Sequence, residues 1–336
     1  MSTPITTAGL RKRYGRVDAL DGLDLTVHTG QVHGFLGPNG AGKSTTIRIL
    51  LGLARPTGGD ARVFGADPWR HAAELHRRIA YVPGDVDIWP NISGGEAVDL
   101  LSRLRGGGRG AAYAAEKQRL CDVFQFDPRK KGRAYSKGNR QKVALIAAFA
   151  VPADLYILDE PTSGLDPLME VVFQDEIARV RAAGATVLLS SHILSEVEQL
   201  CDRVSISRRG RIVESGTLAD MRHLTRTEVS FAATATATAA AAAAIPGAED
   251  AAEQNGRVSI SLASDAVAAA LPRLAVLGVE GLRVAPPSLE ELFLRHYGEA
   301  APTPAEAHRW GCPRGRAKTR WWSSSCCRGC SSSRRS

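Results

Sequence analysis

The chain has 336 residues, enough for one large domain and a small one, and its apolar content of 44% supports a packed core. The net charge is +8, but residues 299–336 hold eight Lys or Arg and two Glu, so this segment carries +6 and the rest of the chain +2. A basic face for nucleic acid is therefore not expected, and no run of about 18 apolar residues predicts a membrane span.

The first predicted elements are short strands that lead into a glycine-rich loop. LDLTV (23–27) and QVHGFLG (31–37) flank a turn, and a helical pattern follows from Lys43 to Leu51. The loop GPNGAGKST matches G-x-x-x-x-G-K-[ST], in which glycines let backbone N–H groups wrap a phosphate. Lys43 would reach the β- and γ-phosphates, and Ser44 would offer its hydroxyl to Mg²⁺. The predicted nucleotide-binding residues of the loop are Gly37, Pro38, Asn39, Gly40, Ala41, Gly42, Lys43, Ser44 and Thr45.

The next segment, residues 70–150, is predicted to be mostly helical. Within it, YSKGNRQK (135–142) forms a Ser-x-Gly turn before the helix RQKVALIAAFA. A helix that begins in this way presents free N–H groups and the positive end of its dipole to an anion.

From Asp154 onward, apolar strands alternate with helices. LYILDE ends in Asp159 and Glu160, and TVLLSSH ends in His192. This alternation indicates an α/β core with a largely parallel sheet, which binds ligands at the carboxyl ends of its strands. Beside the phosphate loop, Asp159 is predicted to hold Mg²⁺ and Glu160 to orient and deprotonate the attacking water.

The remaining chain changes character. DRVSISRRGRIVESG predicts a hairpin, and residues 225–298 predict a small α+β appendage that includes VSISLA (258–263) and SLEELFLRHYG (288–298). The low-complexity stretch ATATATAAAAAA (233–244) is interpreted as a loop or tolerated expansion. Residues 299–336, rich in Ser, Arg and Cys, are predicted to be disordered.

These motifs, in this order, resemble the ATPase domain of ABC transporters over about residues 4–220. The resemblance implies a P-loop NTPase fold with a parallel-sheet core, an antiparallel β subdomain and a helical subdomain. It predicts an ABC ATPase domain over 4–224, with the helical subdomain at about 84–150. A small C-terminal α+β domain (225–298) and a disordered basic tail (299–336) would follow.

The resemblance also assigns roles to residues outside the phosphate loop. Tyr14 matches the aromatic residue that stacks on adenine, and His192 matches the histidine that contacts the γ-phosphate. Ser136 and Gly138 lie in place of the family signature, so those of one subunit would cap the ATP that the other subunit holds. Asp166 lies in the loop (163–166) that crosses this dimer interface. Three positions depart from the family: Lys137 stands where the signature has a glycine, Asn139 also differs from the signature, and Gly84 stands where the family has a glutamine.

The implied assembly is a homo- or heterodimer of ATPase subunits that uses ATP and Mg²⁺ beneath a separately encoded transmembrane permease. Residues 84–135 would face that permease at the cytoplasmic side of the cell membrane, and the cargo would be an exported drug or antibiotic. The ending PSLEELFLRHYG resembles the C-terminal extension of such export ATPases.

Two alternatives come from other classes of function. One is a soluble ABC-type ATPase that acts on ribosomes or DNA, but the chain has one phosphate loop and no heptads. The other is a small-molecule P-loop kinase, which would not explain YSKGNRQK or the strand end at His192.

Overall fold

A computed structural model describes residues 3–223, 227–263 and 266–285, which form thirteen strands and ten α-helices arranged around three sheets. The strands are β1 (Ile5–Tyr14), β2 (Val17–Val27), β3 (Val32–Leu36), β4 (Gly58–Val63), β5 (Ile79–Val82), β6 (Leu155–Asp159), β7 (Thr186–Ser191), β8 (Arg203–Arg208), β9 (Arg211–Thr217), β10 (Thr227–Ala232), β11 (Glu249–Gln254), β12 (Arg257–Leu262) and β13 (Glu280–Ala285). The helices are α1 (Lys43–Leu50), α2 (Ala72–Arg78), α3 (Gly94–Leu104), α4 (Gly110–Val123), α5 (Lys137–Phe149), α6 (Pro167–Ala182), α7 (Leu194–Leu200), α8 (Leu218–His223), α9 (Ala239–Ala243) and α10 (Val267–Val276).

The largest sheet of the described chain has the order β5-β6-β7-β3-β8-β9. Its first five strands run parallel, and β8 and β9 form the predicted antiparallel hairpin. Every residue of β3, β6 and β7 is buried, as expected for apolar strands covered on both faces. Asp159 is in register with Ser190, and Leu36 with Ser191, so the carboxyl ends of β6, β7 and β3 meet at one edge.

An antiparallel sheet of order β2-β1-β4 shares a hydrophobic core with the main sheet. That core joins Leu10 and Leu23 of the antiparallel sheet to Phe35 of β3 and Ile157 of β6. The helices α3, α4 and α5 lie between β5 and β6 in the chain, and α3 packs on α5. The arrangement confirms the predicted fold class of a parallel core with antiparallel and helical parts.

Helix α4 is tied to α6 by a closed set of ion pairs. Arg119 of α4 donates to both oxygens of Glu176 of α6, with N–O distances of 2.7 and 2.8 Å. Glu116 pairs with Arg119 at an N–O distance of 2.9 Å and with Arg179 at 2.8 Å. Arg179 also pairs with Glu176, at 2.8 Å. Each charge therefore has opposite charges as neighbours, and Glu176 itself is buried. The paired carboxylates raise the pKa of Arg119 well above its usual value.

The third sheet, of order β11-β12-β10-β13, has a hydrophobic core of its own that includes Phe231 and Ile260. The alanine-rich stretch 233–244 contributes to this core. Its interpretation as a loop is wrong for residues 239–243, which form α9. Thr238 caps α9 by accepting the N–H of Ala241, and Ala242 is buried. Alanine has the highest helix propensity, which allows a low-complexity run to form a capped helix.

The domain boundaries at 224, 298 and 336 stay predictions. SLEELFLRHYG and the tail 299–336 lie outside the described residues.

Cys121 and Cys201 are buried and free. No helix among residues 3–223, 227–263 and 266–285 is long and apolar enough to cross a bilayer.

Replacing Glu176 by Ala should destabilise the protein, because Arg119 and Arg179 would then face each other with Glu116 as their shared partner. We expect the free energy of unfolding to fall by about 1–3 kcal/mol, below the full cost of breaking a fully buried pair because both arginines reach solvent. Urea unfolding followed by circular dichroism measures the change. Asp175→Asn removes an exposed carboxylate from the same helix and should change the free energy little; equal stability of Glu176→Ala and wild type would contradict the account.

Candidate active site

The phosphate loop connects β3 to α1, and residues of the β8–β9 hairpin hold it by hydrogen bonds. Ser207 donates its hydroxyl to the Ala41 carbonyl at 2.7 Å, and the Gly210 N–H donates to the same carbonyl at 3.1 Å. Gly42 has a φ of 102°, and a Cβ at this position would lie 2.8 Å from the Ala19 carbonyl oxygen. Glycine is therefore required at Gly42 by both its backbone conformation and its neighbours.

Lys43 lies in the first turn of α1, and its ammonium curls back onto the loop. Its Nζ donates to the carbonyl oxygens of Gly37 at 2.5 Å and Pro38 at 3.3 Å. Burial lowers the pKa of Lys43, while the carboxylates of Glu160 and Asp159 oppose that shift. Ser44 is exposed in the same turn. The loop thus presents a cation, a free hydroxyl and a helix N-terminus together, which suits a bound phosphate.

Asp159 is the last residue of β6, and it is buried. Its Oδ1 has no hydrogen-bond partner among the described residues. A buried carboxylate oxygen without a partner is costly unless a ligand satisfies it. Carboxylate and hydroxyl oxygens are ligands that Mg²⁺ prefers, so Asp159 and Ser44 fit the predicted metal.

Glu160 follows Asp159 and adopts a left-handed backbone conformation, with φ of 48°. This conformation costs a non-glycine residue free energy, and such strained residues cluster at active sites. The Glu160 N–H donates to the Ser190 carbonyl at 2.9 Å and so holds the residue beside the end of β7. Its Oε1 lies 3.2 Å from Nδ1 of His192. The structure therefore brings Glu160 and His192 together at the edge beside Lys43 and Asp159.

Ser136 and Gly138 begin α5 and contact the loop after β6. Ser136 is the N-cap and accepts the N–H of Asn139 at 3.3 Å, which leaves its hydroxyl proton available. A Cβ at Gly138 would collide with the carbonyl oxygen of Gly164. Lys137 donates to the Ser163 hydroxyl at 2.9 Å. The turn at Ser136 and residues 163–164 therefore form one packed unit.

Asp166 and Tyr14 are placed by different elements. Asp166 is the N-cap of α6 and accepts the Met169 N–H at 3.0 Å. Tyr14 ends β1 with an exposed ring, and the Lys12 ammonium lies 4.8 Å from the ring centroid. The neighbouring strand β2 reaches the phosphate loop through Leu20 and Ala19, which surround Gly42.

Gly84 lies in the loop after β5 and also reaches this edge. A Cβ at Gly84 would contact the Asp159 carbonyl oxygen at 3.3 Å and Glu160 Cβ at 3.8 Å. Asp85, the following residue, is exposed.

The comparisons with known proteins agree with this geometry. A family model described as "ABC transporter" matches residues 20–163. A daunorubicin/doxorubicin resistance ATP-binding protein of Streptomyces peucetius is 41% identical over 222 residues, which cover 65% of this chain and 66% of that protein. A daunorubicin resistance ATP-binding protein of Streptomyces coeruleorubidus is 34% identical over 307 residues, or 88% of this chain and 95% of that one.

This chain belongs to the ABC transporter ATP-binding proteins. A solved structure of an ATP-binding subunit of an ABC transporter aligns with a TM-score of 0.62 and 32% identity, and the match covers 66% of this chain and 93% of that one. The chain is thus an ATP-binding subunit with ATPase activity, and the resemblance noted from the sequence is confirmed. The roles predicted for the individual site residues remain proposals.

Two contacts of this site were not predicted. The Gln141 side chain donates to the Pro161 carbonyl at 2.9 Å, and the buried Glu196 of α7 accepts the Ser191 hydroxyl at 2.7 Å. Both residues lie on helices identified from the sequence. A polar residue on the buried face of a predicted helix is the signal that would have drawn attention to them.

Proposed function

We propose that this ABC ATPase powers the outward transport of a drug or antibiotic across the cell membrane. The observation that carries the cargo class is the 41% identity to a protein named for daunorubicin and doxorubicin resistance. The relative that matches over almost its whole length is also named for daunorubicin resistance. Both of these relatives are named for drug resistance, so they do not favour the alternative of a soluble ATPase acting on ribosomes or DNA.

In this proposal, ATP binds with adenine on Tyr14 and its triphosphate on residues 37–45. Lys43 would exchange the carbonyls of Gly37 and Pro38 for β- and γ-phosphate oxygens, because a phosphate is the stronger partner for an ammonium. Ser44 and Asp159 would hold Mg²⁺, which supplies positive charge to the phosphates when bound.

Hydrolysis would use the pair formed by Glu160 and His192. A water oxygen attacks the γ-phosphorus, Glu160 accepts a proton from that water, and the bond to the bridging oxygen of ADP breaks. His192 would orient Glu160 and contact the γ-phosphate. The short distance between the two side chains, 3.2 Å, supports their acting together.

The turn at Ser136 supports a shared site in a dimer. Its contacts in the described chain are with α5 and with residues 163–164, so its free N-terminal groups remain available to another nucleotide. Two copies related head to tail would place the Ser136 turn of each over the ATP of the other. Residues 163–166 would then cross the interface, and closure on ATP would drive the permease.

The surface for the permease is proposed to be an apolar cavity of about 410 Å³. Its lining comes from the loop after β5 and from α3 and α5, and includes Val86, Leu101 and Ala144. Leu53, Trp89 and Leu104 also line it and remain exposed. Exposed apolar groups around a cavity favour an apolar protein segment as partner, and the subunit would therefore lie at the cytoplasmic face of the membrane.

Replacing Glu160 by Gln tests the catalytic assignment. The amide cannot accept the proton from water, so kcat should fall at least about a hundredfold while ATP binding persists. Size-exclusion chromatography should then show an ATP-dependent dimer that outlives the wild-type one. The matched change Glu74→Gln on α2 should leave both readouts unchanged, and near-normal turnover by Glu160→Gln would refute the assigned base.

Replacing Leu104 by Glu tests the docking surface. Leu104 is 70% exposed, so the protein should fold, and a charge at the cavity should prevent co-purification with the proposed, separately encoded permease. The ATPase activity of the isolated chain should stay within about twofold of wild type, because no catalytic contact changes. Val276→Glu adds the same charge at a position 87% exposed in α10 and should retain the permease; loss of the permease with both variants, or with neither, would contradict the surface.

A further inference from the structure

Glu196 is a buried carboxylate that contacts both segments carrying the proposed catalytic pair. It lies in α7, and its Oε2 accepts the hydroxyl of Ser191 at 2.7 Å. The Thr162 hydroxyl faces the same carboxyl group. Ser191 immediately precedes His192, and Thr162 follows Glu160 in the loop after β6. One side chain therefore links the backbone that carries His192 to the backbone that carries Glu160.

The contact with Ser191 has a consequence for His192. A serine hydroxyl has one proton to donate and lone pairs to accept with. Because Ser191 directs its proton to Glu196, its oxygen can accept the Ile193 N–H, at 3.0 Å. These two hydrogen bonds define the turn over residues 191–193 and hence the direction in which His192 leaves β7.

The environment of Glu196 is costly for a purely structural residue. Its Oε1 is buried without a hydrogen-bond partner in the described part of the chain, and burial raises the pKa of the group. An unsatisfied buried polar atom destabilises a protein, and an apolar residue would fill such a position at lower cost. Departures of this kind are expected where function requires them.

We propose that Glu196 is a positioning residue which, through Ser191 and Thr162, keeps His192 aligned with Glu160 for hydrolysis. The inference rests on the proposed roles of those two residues. It assigns Glu196 no contact with ATP, so its loss should affect turnover and spare nucleotide binding.

The test compares Ser191→Ala, Glu196→Ala, Glu196→Gln and the double Ala variant in the full chain. We expect each Ala variant to lower kcat about tenfold and to leave KM for ATP within about twofold of wild type. The double variant should be no slower than the slower single variant, because both remove the same interaction. Glu196→Gln should keep kcat within about threefold of wild type, since its amide oxygen accepts the same hydrogen bond.

Ser195→Ala is the matched control, because it removes an exposed hydroxyl from the same helix and should leave kcat unchanged. Ser191→Ala deletes one atom, so it keeps the test informative if Glu196→Ala fails to fold. The inference is overturned if Ser191→Ala retains kcat within about twofold of wild type, or if the two Ala effects multiply. If Glu160→Gln abolishes turnover while Ser191→Ala keeps kcat within about twofold of wild type, only this inference fails; if Glu160→Gln is active, the proposed mechanism fails with it.

Discussion

The site depends on one backbone hydrogen bond at the edge of the parallel sheet, from the Glu160 N–H to the Ser190 carbonyl at 2.9 Å. This bond extends the pairing of β6 and β7 by one residue, and it accompanies a left-handed Glu160 whose φ is 48°. Because the ends of β6, β7 and β3 are in register, the same edge also receives His192 and the phosphate loop. The pairing of β6 with β5 on one side and β7 on the other holds Glu160 in this strained conformation.

A second constraint connects this edge to the helical part of the chain. Gly138 and Gly164 approach too closely for any side chain, and Gln141 donates to the Pro161 carbonyl. On the far side, Arg119 joins α4 to Glu176 of α6, the helix that begins after Asp166. The helical part is therefore joined to residues 161–166 by backbone contact and, through α6, by ion pairs. Under the proposed function, these contacts are the route by which permease docking would reach the nucleotide.

The elements that the sequence located correctly are those whose pattern is local. The loop around Lys43, the strand ending in Asp159 and the helix opened by Ser136 each carry a complete pattern within about ten residues. The parts it missed depend on contacts between distant segments: Glu196 with Thr162, and Arg119 with Glu176, 57 positions apart. The interpretation of residues 239–243 as part of a loop was wrong for another reason: composition alone indicates neither the Thr238 cap nor the burial of Ala242.

The central claim is that each nucleotide is held by the Lys43 loop of one copy and the Ser136 turn of another. Mixing two inactive variants, Lys43→Ala and Ser136→Ala, tests it directly by steady-state ATP hydrolysis. A head-to-tail mixed dimer has one site with both defects and one with neither, so activity should return to about a quarter of the wild-type value at equal concentrations, provided that the two sites work independently. Activity no greater than the average of the two separate variants would contradict a site shared between copies.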